Sequence, residues 1–143
     1  MKRKANAVWR GAGKDGTGSI TTGSGAMKDQ PYSTLTRFED ESGRAGTNPD
    51  ELIAAAHASC FSMALAYQLS GAGHPPDEVK TEAVLDMKKG DSGWSITGSH
   101  LTVSAKVPGV TGEQFQEFAK KAKEGCPVSR ALSVPITMDA TLS

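Results

Sequence analysis

Three stretches of the chain alternate between inward and outward positions with a period of two. Val79, Thr81, Ala83, Leu85 and Met87 alternate with Lys80, Glu82, Val84, Asp86 and Lys88. Leu101, Val103, Ala105 and Val107 alternate with Thr102, Ser104 and Lys106, and Ile136, Met138, Ala140 and Leu142 with Thr137, Asp139 and Thr141. Successive side chains of a strand point to opposite faces, so each stretch predicts a strand with one buried and one wet face. Between the last two, Phe115, Phe118, Ala119 and Ala122 recur at helical spacing among lysines and glutamates, with Thr111 as cap and Gly125 as stop. A short third helix is predicted to start at Cys126-Pro127, because proline suits the first helical position.

The stretch AAAHASCFSMALAYQL, Ala54 to Leu69, follows another pattern. Ahead of it, Asn48, Pro49 and Glu51 fit the N-cap, first and third positions of a helix. The helix should run to about Ser70 and stop at Gly71 and Gly73. Leu52, Ile53, Ala56, Cys60, Phe61, Met63, Ala64, Leu65 and Tyr67 occupy nearly all its sides. A helix apolar all round belongs at the centre of a structure. One small chain can hardly surround it, so a partner subunit is expected. The glycine-rich N-terminal part predicts strands at AVWRG, SITTG and near SGAMKD, joined by turns such as KDGTG. LTRFE reads as a further extended piece with Arg37 between apolar Leu35 and Phe38, and DESGRAG as a polar link. The order strands, helix, strands, helices, strand places the chain in the α+β class.

A length of 143 residues predicts one domain, 1–143. Such a domain buries roughly 68–70% of its unfolded surface and needs no disulfide to fold. Lys+Arg and Asp+Glu are both 16, so nothing in the charge suggests nucleic acid or an anionic membrane as partner. MKRKANAVWRG opens basic but has no apolar run behind it, unlike a signal peptide. His57, Ser59, Ser62 and Gln68 interrupt the central stretch, which is therefore expected to fall short of the ~20 apolar residues of a membrane span. A cytoplasmic protein is expected. In that reducing compartment its two thiols would be free, redox-active or metal-binding rather than a permanent crosslink.

Cys126 sits where a helix N-terminus favours an anion, an environment that lowers a thiol pKa. It is either reactive for that reason or a plain helix-start residue. Cys60 lies in an apolar helix, where a thiol is raised and inert unless a cation is near. His57, one turn earlier on the same face, is either that cation, a hydrogen-bond partner, or a buried neutral histidine. Arg37 is the other candidate cation, and a buried guanidinium needs an acid beside it. No Cys-x-x-Cys or His-x-x-x-His spacing occurs, so no metal is expected, and no cofactor.

TNPDELIAAAHASCFSMAL, followed far downstream by AKEGCPVSRAL, resembles the OsmC/Ohr family, and its OsmC branch most. The resemblance covers essentially the whole chain. It implies an intertwined homodimer in which two curved antiparallel sheets wrap two central buried helices. It also implies a thiol-dependent peroxidase that reduces organic hydroperoxides and, less well, hydrogen peroxide. Cys60 would be the peroxidatic thiol and Cys126 the resolving one, with Arg37 and an acid assisting. The reductant would be a dithiol, on a lipoylated protein or thioredoxin. The alternative is a non-catalytic dimeric stress protein that binds small apolar molecules or senses redox state.

The family's acid after Asn-Pro is glutamate, whereas this chain has Asp50, followed by Glu51. Asp50 matches by its spacing to Cys60, and Glu51 is the substitute. Ten residues of unbroken helix separate Asp50 from Cys60 by roughly 15 Å. An active site shared across the dimer interface is therefore expected.

Overall fold

The computed structural model describes all residues, Met1–Ser143, which form two compact units, Met1–Leu52 and Ile53–Ser143.

In the first unit, β1 (Ala5–Arg10), β2 (Thr17–Thr22) and β3 (Gln30–Ser33) form an antiparallel sheet in the order β1-β2-β3. Gly18 on β2 is required by close approach: a Cβ there would lie 2.4 Å from the Tyr32 ring and 2.9 Å from the Trp9 ring. Those two rings meet at 5.5 Å between centroids. The strand expected near SGAMKD is absent; that segment is a turn, and the third strand is QPYS instead. LTRFE is not extended either. Leu35–Glu39 is a single π-helical turn. Ser33 and Thr36 bond each other's backbone, with the Ser33 N–H donating to Thr36 Oγ1 and the Thr36 N–H to Ser33 Oγ. Such local bonds compete with a sheet ladder and close the turn. Asp40 then organises the polar link, accepting from the Ser42 amide and hydroxyl and from the Ala45 amide. No large apolar side chain is buried in this unit, and Val8, Trp9 and Leu35 stay exposed.

The helix α1 runs Pro49–Gly71 as the caps predicted. The Glu51 N–H donates to Asn48 Oδ1 at 2.8 Å. By length and composition α1 is apolar enough to cross a membrane, against the expectation from its polar interruptions. Four polar residues do not outweigh so many alanines and large apolar side chains. Within this chain, however, α1 is not buried all round. It buries the stripe His57, Phe61, Leu65 and Leu69, one residue per turn, and leaves Met63 61% and Tyr67 75% exposed.

In the second unit, β4 (Glu78–Gly90), β5 (Gly93–Lys106) and β6 (Ile136–Leu142) form a sheet in that order. The strands lie where the period-two pattern placed them, with β5 beginning earlier, after a tight turn from β4. One expectation is corrected. This sheet is mixed rather than antiparallel, because β6 pairs with β5 in parallel. The chain between them returns to the same end through α2 (Gly112–Gly125) and α3 (Pro127–Ala131), as a parallel pair requires. The core combines the α1 stripe, Leu101, Val103 and Ala105 of β5, and Phe115, Ala119 and Ala122 of α2. Burying a side chain of the size of Phe115 stabilises by about 1.5–3 kcal/mol. Thr111 closes a full capping box with Gln114, which fixes where α2 starts.

Candidate active site

The predicted site residues form two pairs. Arg37 and Asp50, both of the first unit, meet in a bidentate ion pair: Nε donates to Asp50 Oδ2 at 2.9 Å and Nη2 to Oδ1 at 3.1 Å. The π-helical turn and the Asn48 side chain set this geometry. Asn48 Nδ2 donates to the Thr36 carbonyl at 3.1 Å, tying the turn to the helix start. The Arg37 guanidinium also lies 4.9 Å from the centroid of the Phe38 ring. Glu51 is not the substitute partner; it accepts from the Thr47 hydroxyl at 2.8 Å. The shorter aspartate therefore suffices to hold the arginine.

Cys60 and Cys126, both of the second unit, are free thiols packed into one core, near enough to shift each other's acidity. They are 66 positions apart in the chain and are brought together because α2 and α3 pack under α1. Cys60 is half-buried at the rim of an apolar cavity of about 360 Å³, lined by Met63, Ala64, Tyr67, Ala122 and Pro127. A larger depression beside Lys2, Arg3 and Lys4 carries no thiol. Cys126 is fully buried at the start of α3.

The two sulfurs differ in character. Burial pushes the Cys60 thiol up; the Val128 amide opposes this, while the hydrogen bond to Cys126 and the charge of Cys126 add to it. Burial also disfavours ionised Cys126, but the Ser129 amide, the Cys60 thiol, the Ser129 hydroxyl and the Val128 amide together bring it below the ordinary thiol value. Cys126 closes no capping hydrogen bond of good geometry, so these donors act as a field at a helix start rather than as a formed cap. Within one chain, then, the anion is favoured at Cys126.

His57 is not a cation beside Cys60. It is wholly buried, with Nδ1 2.8 Å from Ser99 Oγ and Nε2 2.8 Å from Ser129 Oγ. Burial lowers its pKa, so the imidazole is neutral. Sequence reasoning missed both serines. They stand 42 and 72 positions from His57, and the one available signal was Ser99 falling on the inward register of β5.

Residues 40–140 match the family described as OsmC-like protein. The chain is 46% identical over 142 residues to peroxiredoxin OsmC of Escherichia coli (strain K12), covering 99% of this chain and 97% of that one. It is 31% identical over 115 residues to the organic hydroperoxide resistance protein OhrB of Bacillus subtilis (strain 168), covering 80% of each. The crystal structure of OhrB of Bacillus subtilis superposes on it with a TM-score of 0.70 at 27% identity, over 98% of both chains. Two thiols packed into one core on this fold, together with a match running through both of them, place the chain in the OsmC-like protein family.

Proposed function

We propose that this protein is a thiol peroxidase that reduces organic hydroperoxides to alcohols and hydrogen peroxide less well. The observation that carries the reading is that half-buried Cys60 packs into the same core as buried Cys126, beside an apolar cavity. Relatives named peroxiredoxin and organic hydroperoxide resistance protein support a peroxide-detoxifying role.

In this reading the Cys60 thiolate attacks one peroxide oxygen, the O–O bond breaks, and an alcohol leaves after taking a proton. Cys60 becomes a sulfenic acid. Cys126 condenses with it to a disulfide and water. A dithiol then resets both thiols by exchange. The resemblance suggests a lipoylated protein or thioredoxin as that dithiol, in the reducing cytoplasm. The cavity at Cys60 suits an alkyl tail.

Arg37 and Asp50 are proposed as the assisting pair. A thiol of pKa ~8.5 is only about 3% thiolate at neutral pH, so full ionisation gains about 30-fold, roughly 2 kcal/mol. Enzymes commonly accelerate reactions by ~10⁶ or more. The guanidinium must therefore also steady the charge that develops on the peroxide oxygens. The Asp50 carboxylate holds its fork flat for that task.

A homodimer is part of the proposal. The first unit has a three-stranded sheet but no buried large apolar side chain, and α1 leaves Met63 and Tyr67 exposed. A second copy would cover these surfaces and bring its own guanidinium to Cys60, reversing the preference for an anion at Cys126. The family match crosses from one compact unit into the other, which supports a single functional domain.

The test is steady-state consumption of cumene hydroperoxide with a dithiol. Turnover should vanish in Cys60→Ser, and Cys126→Ser should leave Cys60 open to oxidation to the sulfinic acid. A wild-type protein that consumes no peroxide with any dithiol overturns the reading.

A further inference from the structure

The cavity at Cys60 holds a second oxidisable sulfur, that of Met63. Met63 follows Cys60 by three residues on α1, so the two side chains share a side of the helix, with Cβ atoms about 5–6 Å apart. Both line the cavity of about 360 Å³, beside Ala64 and Pro127. Met63 also lines a second apolar depression, of about 220 Å³, together with Ala66, Tyr67 and Ser70. Among the five methionines, Met63 and Met1 are exposed, while Met27, Met87 and Met138 are half-buried. Met1 lines neither cavity. Packing does not demand sulfur at position 63, because leucine fills nearly the same volume. The thioether adds a soft, polarizable atom that peroxide converts to a sulfoxide.

We propose that Met63 is a modification site: organic hydroperoxide held in the Cys60 cavity oxidises it to the sulfoxide, and the modified cavity then binds such substrates less well. The inference rests on the reading above that this cavity admits an organic hydroperoxide. A lone pair of the Met63 sulfur attacks one peroxide oxygen and forms the S–O bond as the O–O bond breaks. The hydroperoxide's own proton ends on the departing oxygen, which leaves as the alcohol. The sulfur loses two electrons and the peroxide gains them, so no further reactant enters.

A sulfoxide is polar and prefers hydration, so it opposes an alkyl tail lying against it. Substrate affinity falls, while the Cys60 thiol is left free to react. The dithiol that resets a disulfide works by exchange at a sulfur–sulfur bond, and a sulfoxide has none. Its return requires a methionine sulfoxide reductase. Oxidised Met63 therefore outlasts the resetting of Cys60 and keeps a record of peroxide excess.

The experiment exposes wild-type protein to excess cumene hydroperoxide or excess hydrogen peroxide, with dithiothreitol present, and follows each methionine by peptide mass mapping. The ratio of the Met63 rate to the Met1 rate cancels the oxidant's intrinsic reactivity. That ratio should be at least ~10-fold higher with cumene hydroperoxide, because burying about two CH₂ groups already favours occupancy of an apolar cavity by that factor. After oxidation the KM for cumene hydroperoxide should rise at least ~5-fold in wild type, the scale of placing a polar group against an apolar tail. In Met63→Leu, compared with its own starting value, KM should stay constant. Over-oxidation of Cys60 lowers the maximal rate instead, which separates the two effects. Equal ratios for the two oxidants, or an equal rise of KM in wild type and Met63→Leu, overturn the site while turnover leaves the peroxidase reading intact. Preferential oxidation of Met63 in a protein that consumes no peroxide with dithiothreitol supports the site and overturns the peroxidase reading alone.

Discussion

Arg37 reaches Asp50 with two parallel hydrogen bonds, 2.9 and 3.1 Å, from a π-helical turn to the first turn of α1. Both partners are fixed by neighbours, Asp50 by its place on a capped helix and Arg37 by the Ser33–Thr36 turn. A lysine at position 37 would keep the charge and lose the fork. Arg37→Lys should cut peroxide turnover by about 100-fold, the scale of removing one preorganised donor. Its Tm should move little, because lysine still places a cation beside the buried Asp50 carboxylate. Parallel thermal melts and peroxide assays check this; near wild-type turnover removes Arg37 from the mechanism.

Buried His57 makes stability depend on pH. Its folded-state pKa is depressed by burial below the ordinary 6.5. Above that value both folded and unfolded forms hold it neutral, and its contribution is fully present. As pH falls below it, the unfolded chain takes up a proton that the folded chain refuses. Stability therefore drops, by at most about 1.4 kcal/mol per pH unit, until pH passes the folded-state value. Denaturant titrations at several pH values should show this loss in wild type, and His57→Gln should flatten it. Equal slopes for the two proteins refute the assignment.

Met63 and Tyr67 project from the side of α1 opposite its buried stripe. If a second copy covers them, Tyr67→Lys or Met63→Glu should turn a dimer into a monomer in sedimentation velocity. Both changes lie on an exposed surface of the chain, so far-UV circular dichroism should stay the same. A wild-type protein that sediments as a monomer excludes the shared site.

Much of the second unit was legible in the chain because its signals are local. Period-two alternation placed β4 and β6, and the Thr111 and Cys126-Pro127 starts placed α2 and α3. The first unit was harder. Leu35 and Phe38 around Arg37 imitate a half-buried strand, but Thr36 is the buried residue and Leu35 is 51% exposed. The turn is decided by two hydroxyls that bond their own backbone, a choice that hydropathy does not record. QPYS carries a proline, which is tolerated because β3 is an edge. At the site, the motifs pointed to Cys60, Cys126, Arg37 and Asp50 one by one. Their pairing was implied by the family resemblance, whereas the placement of Ser99 and Ser129 around His57 depended on contacts between distant positions that no local pattern encodes.

The parallel seating of β6 against β5 has a bearing on biosynthesis. Emerging from the ribosome, β4 and β5 can zip together at once through their tight turn. The outer edge of β5 stays bare until roughly thirty further residues have been made and the α2–α3 crossover has folded back. In that interval an unpaired edge is free to recruit a strand from another nascent chain. Conditions that stall translation between Lys106 and Ile136 should therefore expose this protein to aggregation more than heat does once β6 is in place.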